Sequence, residues 1–277
     1  MGHWYGNEWS TLETVQPHHA RIVPDVTLRE ARKHNLFPGI TSIISEMARP
    51  GLERWKMLEV AKIAADNPQI SPSQCIRLHT QNVAEKADAG TEIHKLVEDA
   101  ANDWVPGATP VEEGAFLLSE IIEQACVATG VVLGSPPVKF IDTPDCIFSE
   151  RALAHPDGYA TKVDLELHYY GDDSACKLVD IKTKPIWPDS DPPRIQEEHL
   201  MQMAACRDLP AFGGDCNHEI PPECWIAFVS REKDAADNHK VHLVQIEESE
   251  LARGLAMFKA ANMLFRLRRN FYPGKRA

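Results

Sequence analysis

The chain has 277 residues, 43% hydrophobic and 25% charged, and a formal net charge of −12 at pH 7. That length suits one large domain or a domain with an added subdomain. The charge argues against a protein that coats nucleic acid, though not against an enzyme that grips DNA in one groove. No run of 18 apolar residues exists, so neither a spanning helix nor a membrane partner is expected. The start, MGHWYGNEWSTLE, lacks the layout of a secretory leader, which points to a soluble cytoplasmic protein.

In chain order, residues 1–38 are rich in His, Trp and Pro and read as an irregular N-terminal arm. Residues 39–135 read as a helical region. TSIISEMARPGLERWKMLEVAKIAAD is helical in composition, with Pro50 and Gly51 breaking it into two helices, and Trp55 is expected in the core. SPSQCIRLHTQNVAEKADAGTEIHKLVEDAANDW continues the pattern. In it His94 and Glu98 are four apart and share a helix face. Gly90 allows close backbone approach or a turn, and Thr91 can cap a helix that starts there. PVEEGAFLLSEIIEQACVATG spaces Phe116, Leu117, Ile121 and Ile122 as an amphipathic helix does.

The texture changes near residue 138. VKFID, CIFSERALA, GYATKVDLELHYY and CKLVDIKT are short runs with β-branched and aromatic content, and Gly171, Asp172 and Asp173 mark a hairpin turn. After a Pro-rich loop, IQEEHLMQMAACRDL reads as a helix, ECWIAFVSR and KVHLVQIE as strands, and ESELARGLAMFKAANMLFRLRR as a closing helix. Residues 136–277 thus form an α/β core around a mixed sheet, within a single compact domain overall. The closing stretch RLRRNFYPGKR holds five basic residues and no acid; it suits either tracking of a phosphate backbone or a solvated helix end.

Acids interrupt the strands. Period-2 geometry puts Asp164, Glu166 and His168 on one face and Val163, Leu165 and Leu167 on the other. Asp180 and Lys182 share a face of the next strand, and a hairpin lets Asp164 and Asp180 approach at its open end. Two close carboxylates repel unless a cation holds them, and oxygen ligands suit Mg²⁺. Lys182 can orient or help deprotonate an attacking water and steady a phosphate. The blander alternative is a pair of solvent-facing edge-strand acids with Lys182 as an ion-pair partner. Glu150, on the preceding strand, can reach the same cleft, and Gln202, on the helix after the strand pair, can orient a phosphate or the lysine.

In this order, Gly90–Thr91–His94–Glu98, Glu150, Gly158–Asp164, Asp180–Ile181–Lys182–Thr183 and Gln202 resemble the RecB-like branch of the PD-(D/E)XK nuclease superfamily. FPGITSIISEMARPGLERW is similar to the opening of the phage-type and mitochondrial genome-maintenance exonucleases. The resemblance covers roughly residues 37–250. It implies a restriction-endonuclease-like mixed β-sheet core flanked by helices, and a metal-dependent exonuclease acting on linear single- or double-stranded DNA in recombination or repair, with a phage origin. It implies Mg²⁺ or Mn²⁺ on Asp164, Asp180, His94 and the Ile181 carbonyl, and Lys182 placing the water. Glu150 and Gln202 would then place metal or substrate, and Thr183, Lys184 and Glu98 would lie along the DNA, whose free end threads past the helical region. A single-strand annealing or binding protein is the partner that context suggests. Alternatives of the same fold are a structure-specific endonuclease, an RNA nuclease or a non-catalytic binding protein.

The sequence departs from the pattern at Cys206, where relatives carry tyrosine in Q-x-x-x-Y. Asp157, in HPD, is a less favoured alternative to Asp164, because it precedes the strand. Seven cysteines, none in a C-x-x-C pair, argue against a disulfide framework. Cys75 could begin an iron–sulfur set, but Cys206, Cys216 and Cys224 are too widely spaced to complete it, so no cluster is expected.

Overall fold

A computed structural model describes residues 3–7, 20–47, 50–106, 109–128, 144–169, 175–210 and 221–273. The strand expected at 138–142, the turn at Gly171–Asp173 and Cys216 lie outside these.

The first described elements are short. Strands β1 (Trp4–Asn7), β2 (Ala20–Val23) and β3 (Phe37–Pro38) form an antiparallel sheet in the order β2-β1-β3, with helix α1 (Leu28–Lys33) between the last two in the chain. The irregular arm is therefore in part a small sheet. Strands of two to four residues carry too little periodicity to show in sequence. What holds them is burial: Tyr5, Ala20 and Phe37 pack on Ala154 and Ala160 of the main sheet. Helix α1 starts at a capping box in which Thr27 and Glu30 each satisfy the other's backbone N–H.

Helices α2 (Ile40–Ile44) and α3 (Pro50–Asp66) come next. Pro50 opens α3, where its missing N–H costs nothing. Helix α4 (Pro72–Asn102) begins at a second capping box, Ser71 with Gln74, and runs 31 residues, about 46 Å at 1.5 Å per residue. It continues through Gly90, and Thr91 donates back to the Ala87 carbonyl instead of capping a new helix. Helix α5 (Glu113–Ala128) packs beside it.

The main sheet has the order β4-β5-β6-β7-β8: Cys146–His155, Tyr159–Tyr169, Ala175–Lys184, Glu223–Lys233 and His239–Gln245. Strands β6 and β7 are parallel, joined by a crossover that contains α6 (Glu197–Arg207), and the other neighbours are antiparallel. Helix α7 (Glu248–Arg269) closes the chain against α6. This is the expected class, a mixed sheet flanked by helices behind a helical N-terminal region.

Two cores sandwich the sheet. Ile93 and Val97 of α4 and Leu118 and Ile121 of α5 pack on Val179, Ile181, Trp225 and Ala227. Leu200 and Met203 of α6 and Phe258 and Phe265 of α7 pack on Cys176, Leu178, Ile226 and Phe228. Along β6 and β7 odd and even residues thus go to opposite cores, as a sheet buried on both faces requires.

In β5 that alternation breaks. Tyr159 and Val163 belong to the α6–α7 core, but Leu165 and Leu167 to the α4–α5 core. The expectation that Val163, Leu165 and Leu167 share one face is corrected: the strand turns over at Asp164. Its neighbour β4 does the same, with Leu153 on one core, Ile147 on the other, and Glu150 between them at φ +53°. A left-handed residue inside a strand reverses the side-chain parity beyond it.

Candidate active site

The turnover point is where the acids gather. The β4–β5 pairing runs Ser149↔Leu165 and Arg151↔Val163, leaving Glu150 opposite Asp164 without a ladder pair. The β5–β6 pairing stops at Leu165↔Val179, so the next residues, Asp164 and Asp180, face each other where the strands part. There the Ile181 N–H donates to Asp164 Oδ2 at 2.8 Å, replacing a ladder bond with a side-chain one. Helix α4 supplies His94, whose Nδ1 is 3.6 Å from the same oxygen. One ligand atom each from His94, Glu150 and Asp164 lies within 4.8 Å of the others, and all three side chains are partly buried. Glu150 is also ion-paired with Lys162.

Asp180 continues the row of Cys176 and Leu178 toward α6, and only 5% of it is exposed. Gln202 of α6 donates to its Oδ1 at 2.7 Å. Lys182 Nζ stands 2.5 Å from the buried Oδ2 as its ion-pair partner. Burial pushes the Asp180 carboxyl above its ordinary range, Lys182 opposes this and Asp164 adds to it. Burial alone would lower Lys182, but Asp180 and Asp164 outweigh it and hold the ammonium above its usual range.

The imidazole of His94 and the carboxylates of Glu150 and Asp164 are a donor set that fits a hard divalent cation. The group formed by His94, Glu150 and Asp164 could hold such an ion. Asp180 stands beside it, its oxygens taken by Gln202 and Lys182.

Of the other expected residues, Ile181 places its side chain in the α4–α5 core and its N–H on Asp164. Thr183 packs against Gly90, where an added Cβ would come within 2.9 Å of its Oγ1; the close approach expected of this glycine is made to β6. Lys184 lies over the Phe228 ring, 5.9 Å from its centroid. Glu98 is half-buried one turn beyond His94, outside the metal-ligating group, and its charge acts on Lys95.

Three neighbours were not foreseen. Lys162 is the partner of Glu150; its only signal was a position two residues before Asp164. His199 is buried beside Lys182 and Asp180, and burial together with the lysine's charge pulls it down to about 4. Tyr5, from β1, takes a hydrogen bond from the Lys162 backbone and has Cys206 and the carboxylate of Asp164 nearby. Nothing in the sequence ties residue 5 to residue 164. Cys206 itself is buried, and its thiol is held well above its ordinary value, first by burial and then by Asp180.

No family model matches the chain, and no curated protein does. Among solved structures it is similar to the 2.19 Å crystal structure of a "putative exonuclease" from Eubacterium rectale, with 11% identity and a TM-score of 0.30, covering 78% of this chain and 68% of that one. At that degree of likeness nothing is carried from that protein to this chain.

Proposed function

We propose that the protein is a divalent-metal-dependent deoxyribonuclease of the RecB-like PD-(D/E)XK type, acting from free ends of linear DNA. One observation carries the reading: Asp164 and Asp180 face each other at the parting of β5 and β6, with His94 on the first and Lys182 on the second. In this reading Asp164, His94 and Glu150 hold Mg²⁺ or Mn²⁺, joined by Asp180 and the Ile181 main chain. A bound ion would stabilise charge developing on the phosphate and acidify a bound water. Gln202 fixes the orientation of Asp180. Lys182, held protonated by both aspartates, contributes a positive charge and a hydrogen-bond donor for the attacking water and the phosphate, not a base.

The test is degradation of end-labelled linear single- and double-stranded DNA with Mg²⁺, Mn²⁺ or EDTA, beside a closed circle and the Lys182→Ala variant. Metal-dependent loss of linear DNA alone, reduced at least about 100-fold in the variant, is expected for a lost transition-state donor. Cutting of the circle would convert the reading to an endonuclease, and no cleavage of any DNA with either metal overturns it.

A further inference from the structure

Around Phe228, on the face that carries Asp180 and Lys182, polar side chains from β6, β8 and α6 converge. Phe228 is fully buried, with Lys182 as its register partner on β6 and His242 as its partner on β8. Lys184 Nζ lies 5.9 Å from its centroid, the His242 ring stacks at 6.4 Å and 18°, and His199 stands at 5.9 Å. Arg231 lies in the irregular stretch of β7–β8 pairing between Val229 and Lys233, close enough for its charge to act on Lys184.

Lys184, Arg231 and His242 are all half-buried. Neither Lys184 nor Arg231 has an ion pair among the described residues, whereas Lys182 pairs with Asp180 and Lys240 with Asp189. Of the acids nearby, the charge of Glu198 acts on Lys184 against those of Lys182 and Arg231, and a Glu232 oxygen accepts the Ile186 N–H. Burial, then Lys182 and Arg231, hold Lys184 below its ordinary range. His242 is lowered too, by burial and Lys240. Half-buried cations lacking a counter-ion are costly for the chain alone and are relieved by an anion. Lys184 is two residues along β6 from Lys182, roughly 6.6 Å, with its side chain on the same face.

We propose that Lys184, Arg231 and His242 form a phosphate subsite that grips the nucleic-acid backbone beside the phosphodiester held at Asp164, Asp180 and Lys182. The subsite rests on the nuclease reading for its ligand. Arg231 supplies a planar fork for two phosphate oxygens, Lys184 a point charge and His242 a single donor. None of these contacts reads a base, so the grip is independent of sequence.

The experiment measures binding of a fluorescein-labelled 20-nucleotide DNA strand and of its duplex by anisotropy in EDTA, from 50 to 300 mM KCl. The full-length protein is compared with Lys184→Ala, Arg231→Ala, His242→Ala and Lys184→Arg, and with Lys33→Ala on α1 as a charge control. Lys184→Ala and Arg231→Ala should each weaken binding about tenfold on every sequence tried and reduce the log–log salt slope by about one. Lys184→Arg should restore both, and in the cleavage assay the loss should fall on KM more than on kcat. Folded variants with wild-type affinity and slope, a loss matched by Lys33→Ala, or a loss confined to kcat overturn the subsite. DNA binding that depends on these residues in a protein that never cleaves would leave the subsite standing and remove the nuclease reading. A protein that binds neither strand nor duplex removes both.

Discussion

Asp180 carries a charge where burial works against it. Gln202 and Lys182 supply a hydrogen bond and an ion pair, and Asp164 across the strand gap adds repulsion. Its pKa in the folded protein is raised above the unfolded value, so this group's stability contribution is fully present below the unfolded pKa. It is lost as pH rises through the folded one. Asp180→Asn, which removes the buried charge, keeps the shape and leaves Lys182 the charge of Asp164 as its balance, should therefore abolish cleavage yet leave the metal-free protein as stable as wild type or more so at pH 8. Chemical denaturation at pH 5 and pH 8 measures this, and a clear loss of stability in the variant at pH 8 would contradict it. Added Mn²⁺ or Mg²⁺ should raise the wild-type melting temperature more at pH 8 than at pH 5, because the cation competes with protons for the same oxygens. The opposite step, Lys182→Ala, leaves Asp180 buried without its partner and should cost about 3 kcal/mol, at the low end for broken buried pairs since the lysine is partly exposed. At this scale Asp164, Asp180 and Lys182 were legible because a charge in an apolar run is conspicuous, Gln202 because it lies on the helix that follows the strand pair, and His94 because helix spacing put it on a face. Tyr5 and His199 were not, since only tertiary packing brings them near.

At the scale of elements, the chain's long strands and helices were readable from periodicity, and their joints were not. The parity change in β4 and β5 depends on one left-handed residue, Glu150, and no pattern marks a glutamate for that conformation. Yet this change sets Asp164 where His94 from one side of the sheet and Asp180 on the other both reach it. The continuity of α4 through Gly90 was hidden for the converse reason: glycine signals a break, and here it serves a close approach to Thr183 on the strand that carries Asp180. A second glycine fixes the other layer. In α7, a Cβ on Gly254 would lie 2.5 Å from the Leu200 carbonyl oxygen of α6, a backbone atom with little room to move. Gly254→Ala should therefore destabilise the protein by about 1–3 kcal/mol, despite its better helix propensity, through overpacking. Urea titration reads that number, and an unchanged or raised midpoint would show that α6 and α7 can separate without cost. Because Gln202 lies on α6, the same substitution should lower nuclease activity more than the fraction unfolded accounts for.

On the scale of the whole molecule, the two cores hold the sheet and the second half of α4, while α3 and the first half of α4 stand largely outside them. Leu52, Trp55, Met57, Leu58, Ile76 and Val83 are exposed on this helical pair. Trp55 is 40% exposed, its ring edge-on to His79 at 5.6 Å, so the expectation that it belongs to the core is corrected. Composition misled because an apolar residue on a helix signals burial against something, without saying whether that partner lies inside the chain. His79 and His94 are 15 residues apart on one continuous helix, about 22 Å, so the aromatic pair projects from the same rod that brings His94 to the acids. If free DNA ends pass this rod, the exposed indole offers a stacking face for a base, an interaction of about 1–3 kcal/mol. Trp55→Ala should then change folding stability by no more than about 0.5 kcal/mol, as for a surface position. It should weaken binding of single-stranded DNA by about tenfold and of blunt duplex far less, because paired bases present no free face. Equal loss on both substrates would assign Trp55 a structural part, and no loss on either would remove the helical pair from the DNA path.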